Sequence, residues 1–183
     1  MFDKFKTRAE AVGSEVHRFK TKNEALNFIT GFLKTEGVSD APKSYALWAD
    51  SPFLNGVDRK SMETDIPGLK FEITRQLAAD SLVGISEMSY GLTDTGSLVA
   101  DQTAIEDRLV STLSVIHVAI IPTDNLLDGK AAVFAKINPG NSGYIAFITG
   151  PSRTADIERV LTIGVHGPKR LVIVFVDDMG GSK

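Results

Sequence analysis

The chain has 183 residues, 43% of them hydrophobic, enough for one domain with a sizeable core and too few for two comfortable ones. With 20 basic against 23 acidic residues the formal net charge is −3, so no global field draws the chain to nucleic acid or to an anionic membrane. It contains no cysteine, which excludes disulfides, a thiol nucleophile and cysteine-held zinc or iron–sulfur clusters within these residues. His17, His117 and His166 show no close ligand spacing, and no carboxylate pattern suggests a metal site, so no cofactor is expected in this chain. The charged start MFDKFKTRAE is unlike a signal peptide, and no apolar run approaches the roughly 18 to 20 residues of a membrane span, so a cytoplasmic location is expected.

In chain order, Phe2, Phe5 and Ala9 define an N-terminal helical arm within residues 1–12 that docks on the body or on another copy, or frays. Residues 15–19 suit a short edge strand. Thr21 followed by Glu24 is a capping box, and Ala25, Leu26, Phe28, Ile29, Phe32 and Leu33 give the next helix a broad apolar face up to Gly37. A strand over 45–48 stops at Asp50-Ser51-Pro52. The pattern then weakens through loops around one turn of helix, followed by a strand over 70–73, a short helix over 74–80 and a strand over 82–85. Two extended pieces flank the turn Asp94-Thr95-Gly96, where glycine supplies a positive φ.

A helix over 105–113 precedes the apolar run 116–121, which Pro122-Thr123-Asp124-Asn125 ends. Residues 126–136 read as a helix and INPGNSG as a loop. Residues 144–149 have the length and β-branched content of a buried strand. After Gly150-Pro151, Thr154 is a good N-cap, Asp156 supplies a first-turn carboxylate, and Ile157, Val160 and Leu161 form an amphipathic face, so a helix is expected over 154–163. A last strand covers 171–176. Strands alternating with helices, several of them apolar throughout, imply an α/β fold with a mainly parallel sheet and helices on both faces, as one domain over 1–183.

In such sheets ligands sit beyond the carboxyl ends of the strands. That geometry nominates Ser152, Arg153 and Thr154 after one strand and Asp124 with Asn125 after another, all facing one cleft, with Asp94 to Ser97 joining if the hairpin folds over that edge. A helix N-terminus beside Ser152, Arg153 and Thr154 favours a small anion. The same residues also read as an ordinary turn, cap and solvated arginine. The expected helix over 154–163, about 15 Å long, would carry His166 to the far edge of the sheet, away from Arg153. His117, inside an apolar strand, reads as a satisfied core histidine. No GxSxG, Walker loop or GxGxxG is present, and no catalytic residue can be assigned.

At ITGPSRTADIERVLTIGVHGP (residues 148–168) the chain resembles the LUD-domain family, in its lactate-utilization protein C (YkgG-type) branch. A second match is YGLTDTGSLV (90–99). Where the family typically reads Ala-Glu-Thr-Gly-Thr, this chain has Thr93-Asp94-Thr95-Gly96-Ser97, which keeps the chemistry and shortens the reach of the acid. The resemblance implies a NagB/RpiA/CoA-transferase-like fold and a part in oxidation of lactate to pyruvate in a bacterial cytoplasm. It also implies iron–sulfur partner proteins, with a small anion and those partners as the binding targets. The alternatives from the residues themselves are a free-standing isomerase or acyl-CoA-transferase acting on a phosphorylated or carboxylated small molecule, and an interaction module.

Overall fold

In chain order, helix α1 (Phe2–Ala11), strand β1 (Glu15–Phe19), α2 (Lys22–Thr35), β2 (Tyr45–Trp48), α3 (Arg59–Asp65) and β3 (Leu69–Lys70) make the first third of the chain. Next come α4 (Arg75–Ala79), β4 (Ser81–Glu87), β5 (Tyr90–Leu92), β6 (Ser97–Asp101), α5 (Ile105–Leu113) and β7 (Ile116–Pro122). The remainder holds β8 (Leu126–Leu127), α6 (Lys130–Phe134), β9 (Ile145–Ile148), β10 (Arg153–Ala155), β11 (Leu161–Ile163) and β12 (Arg170–Val176). This computed structural model describes residues 1–155, 161–163 and 167–180.

The apolar runs IHVAIIP and RLVIVFV become β7 and β12, neighbours in a six-stranded sheet of order β1-β12-β7-β4-β2-β3 in which every pairing is parallel. Strands without polar alternation need cover on both faces. On one face Val118, Ile120, Val172 and Val174 pack with Ala25, Ile29 and Leu33 of α2, whose Thr21–Glu24 capping box is formed in both directions. On the other, Ala119, Ile121, Ile173 and Phe175 pack with Phe5 and Ala9 of α1 and with Leu98 and Ala100 of β6. Each such large side chain removed from water contributes roughly 1.5–3 kcal/mol. The N-terminal arm is therefore docked: Phe2 and Phe5 meet the Phe175 ring edge-on, with centroids 5.2 and 5.1 Å away.

α5 covers the second face beside α4, with Val110 and Ala78 against Leu47. It lies very close to β4 because that strand has Gly84, where a Cβ would come 2.2 Å from the Val110 carbonyl oxygen. The rest of that face is a small separate sheet, β8-β5-β6-β9. Its β5–β6 hairpin turns through Asp94-Thr95-Gly96 as the sequence indicates, with Gly96 at φ +70°.

Three expectations are corrected. Residues 144–149 do not form a buried parallel strand: β9 runs antiparallel to β6 in the small sheet and is half-buried, with Phe147 exposed on it. The helix over 154–163 is not formed at either end, because Arg153–Ala155 and Leu161–Ile163 pair as antiparallel strands β10 and β11. Both ends contain β-branched residues, which fit a pleated strand better than a helical turn. Asp156, Ile157, Val160 and His166 lie outside the described residues. The helix expected over 126–136 is also shorter: Leu126–Leu127 pairs with β5, and α6 begins only after Gly129.

Candidate functional site

After β2 the chain moves outward to β3, whereas after β4 it moves the opposite way to β7 and then β12. The crevice between the carboxyl ends of β2 and β4 is the switch point of the sheet, where open α/β folds bind ligands. Here it is a polar cavity of about 220 Å³ lined by Asp50, Ser51, Glu87, Ser89, Asp107 and Asn125. Glu87 ends β4 and accepts the Phe53 N–H at 3.0 Å, and Asn125 Nδ2 donates to the Ser89 carbonyl at 3.0 Å. Asp50 pairs with Arg59. Burial pushes the Glu87 carboxyl up, partly offset by that Phe53 N–H. Burial also pushes Asp107 up, to about 6, helped by the negative charges of Glu106, Glu87 and Asp50. Such a crevice can hold or move a proton near neutral pH and disfavours a second carboxylate or a phosphate.

The sequence-predicted residues fall into two places. Asp124 lies at this carboxyl edge, beside Arg18 and the start of α1, along a cavity of about 400 Å³. Ser152 and Arg153 lie at the amino edge, because β9 does not belong to the parallel sheet and its carboxyl end points the other way. The Ser152 N–H donates to the Pro168 carbonyl just before β12 at 2.8 Å, and Arg153 Nη2 donates to the Val12 carbonyl at the carboxyl end of α1 at 2.6 Å. Thr154 is in β10, so no helix N-terminus begins there and that part of the anion argument falls.

The hairpin turn joins the amino-edge group. Ser97 Oγ is 2.7 Å from Thr149 Oγ1 and donates to Thr95 Oγ1 at 2.8 Å, and Thr95 Oγ1 donates to Asp94 Oδ1 at 3.2 Å. Gly96 is pressed against α1, where a Cβ would come 2.3 Å from Ala9 N. Asp94 sits over Gly129. Because Leu126 pairs with Gly91, Asp94 and Asp124 are offset by about five strand residues, roughly 16 Å, and do not share a cleft. Thr149, Ser152 and Arg153 instead line a groove of about 430 Å³ with Ser111 and Thr112, and among the described residues no carboxylate lines it.

Sequence reasoning missed Asp50, Glu87 and Asp107. Asp50 lies two residues past the end of a strand and Glu87 closes one, and that placement is the signal that finds them once the strand order is known. His117 is a core residue as expected but only half satisfied: Nε2 is 2.9 Å from Ser86 Oγ, the buried Nδ1 has no partner among the described residues, and burial lowers its pKa to about 4. Among the described residues no group of three His, Cys, Asp or Glu is arranged to hold a metal ion, and no helix is long and apolar enough to cross a membrane.

Residues 2–176 match the family model of the LUD domain. The chain is 31% identical over 109 residues to lactate utilization protein C of Bacillus licheniformis, covering 56% of this chain and 45% of that protein. It is 30% identical over 139 residues to lactate utilization protein C of Macrococcus caseolyticus, covering 72% and 60%. It is 33% identical over 107 residues to the uncharacterized protein YkgG of Escherichia coli, covering 55% and 46%. The matched parts span about half the length of these relatives. A solved structure of a DUF162 family protein from Deinococcus radiodurans has the same fold, with TM-score 0.60 at 15% identity over 96% of this chain and 95% of that one. With the family model matched from residue 2 to residue 176, the chain belongs to the LUD-domain family.

Proposed function

We propose that this LUD domain is a cluster-free component of a bacterial lactate-utilization system, binding a small anion and working beside iron–sulfur partner proteins. The observation that carries the reading is the family match along nearly the whole chain, together with relatives named lactate utilization protein C at 30–36% identity. Oxidising lactate to pyruvate removes two electrons and two protons. The chain has no cysteine to hold a cluster, so the electrons pass to a cofactor or partner outside these residues.

Charge supports the amino edge as the place for the proposed anion. Among the described residues the groove of Thr149, Ser152 and Arg153 offers a guanidinium and hydroxyls without a carboxylate, whereas the switch-point crevice presents Asp50, Glu87 and Asp107. Deleting the gene from its host tests the role: growth on lactate is expected to fail while growth on pyruvate continues, and normal growth on lactate would remove the reading.

One observation favours a second reading, a free-standing isomerase or acyl-CoA-transferase. Asp107, held near pKa 6 beside Glu87, is suited to proton transfer. Turnover of sugar phosphates or acyl-CoA by the purified chain, abolished by Asp107→Asn, would select it.

A further inference from the structure

Helix α5 has apolar residues on both its buried and its exposed side. Val110 points inward and packs in the core beside Leu47 and Ala78. Ile105, Leu109 and Leu113 recur four residues apart: Leu109 is half-buried and leans on that same cluster, while Ile105 and Leu113 on either side of it are 58% and 44% exposed. A surface helix ordinarily buries its apolar residues, so Ile105 and Leu113 lack a cover among the described residues. With Tyr144 they bound a groove of about 650 Å³, far larger and less polar than the crevice at the switch point.

The charged residues at this groove are of one sign. Arg75 and Arg108 line it and, among the described residues, no carboxylate does, although the chain as a whole is net negative. The Arg108 guanidinium lies over the Tyr144 ring, 5.1 Å from its centroid, and its buried Nε has no acceptor among the described residues.

We propose that this outer face of α5 is the docking site for an amphipathic helix of a partner protein, one that brings apolar anchors to Ile105, Leu109 and Leu113 and carboxylates to Arg75 and Arg108. Charge selects this occupant over a second copy. A two-fold contact through α5 would bring Arg75 and Arg108 of both copies together with no acid from the groove between them. The inference rests on the reading of the chain as one component of an assembly, and it names the surface that component uses.

The probe is the purified iron–sulfur subunit of the proposed system, titrated calorimetrically into the whole chain. Ile105→Glu and Leu113→Glu, both at exposed positions, are each expected to weaken binding at least tenfold while keeping the native melting temperature. Arg108→Glu is expected to do the same, Arg75→Ala to flatten the salt dependence, and Lys34→Glu on the opposite face to change nothing. Equal affinity in Ile105→Glu, Leu113→Glu and Arg108→Glu would overturn the inference while leaving the proposed function standing. So would a wild-type chain that fails to bind the subunit although its deletion abolishes growth on lactate. A wild-type dimer in sedimentation that Leu113→Glu dissolves would assign the face to a second copy and overturn the acidic partner.

Discussion

The two edges of the parallel sheet carry different chemistry. At the carboxyl edge, Asp50, Glu87, Asp107, Asp124 and Asp177 follow or face strand ends. Asp177 is held below the usual carboxylate range by its hydrogen bond from Arg18, whereas Glu87 and Asp107 are pushed above it. At the amino edge, Arg170 donates two hydrogen bonds to the Glu15 carboxylate, at 2.8 and 3.1 Å, and a third to Glu36 at 2.7 Å, while Arg153 joins a groove of hydroxyls. The rule that ligands gather at carboxyl ends describes where a crevice forms. The sign of the charge then bears on what can enter it, which is why the proposed anion is placed at the opposite edge.

α5 links the two edges, with Asp107 in its first turn and Thr112 near its end, so the largest effect should come from displacing it. A methyl group at Gly84 would meet backbone, at 2.2 Å from the Val110 oxygen, and backbone yields poorly. Gly84→Ala is therefore expected to cost roughly 2–4 kcal/mol in urea unfolding and to disturb both edges together. Wild-type stability in this variant would show that α5 is not clamped to β4.

Next in size is a pH effect in which the edges oppose one another. Asp107 binds its proton more tightly folded than unfolded, so its contribution declines as pH rises from about 4 to about 6. His117, fully buried, behaves in the opposite sense: its contribution is complete above its unfolded value near 6.5 and is lost as pH falls toward about 4. In the wild type the two slopes partly cancel between pH 4 and 6. Asp107→Asn is expected to stabilise the protein at pH 8 by on the order of 2 kcal/mol and to expose the His117 slope as a steeper fall below pH 6.5. Parallel stability curves for variant and wild type would make the carboxyl edge electrostatically ordinary.

The parts of the fold legible in the sequence are those set by local chemistry. The Thr21–Glu24 box, the Gly96 turn and the unbroken apolar runs of β7 and β12 each need only neighbouring residues to be recognised. The segment from Ile145 to Ile163 was misread because its signals are short. Four apolar residues fit a buried parallel strand or an antiparallel edge equally well, and the spacing of Ile157, Val160 and Leu161 suits a helix although Leu161 starts a strand. That error moved Arg153 to the wrong edge and joined it to Asp124. The acidic crevice went unseen for a different reason: Asp50, Glu87 and Asp107 come from two strand ends and a helix, and only the strand order brings them together.

The smallest expected effect concerns Arg153, and it separates two roles for the amino edge. Its bond to the Val12 carbonyl satisfies a free acceptor at the end of α1 and puts a cation at the negative end of the helix dipole. Arg153→Ala is thus expected to lower the stability of the empty protein by about 0.5–1 kcal/mol, and Arg153→Lys by less. If the groove also binds an anion, pyruvate or phosphate should raise the melting temperature of the wild type, less so in Arg153→Lys and least in Arg153→Ala, because lysine keeps the charge and loses the planar fork. The size of the ligand-induced shift is the quantity to compare, since the stability of the empty protein changes in every case. An equal shift in all three proteins would leave Arg153 as a helix cap, and the two edges would then differ in charge without differing in what they bind.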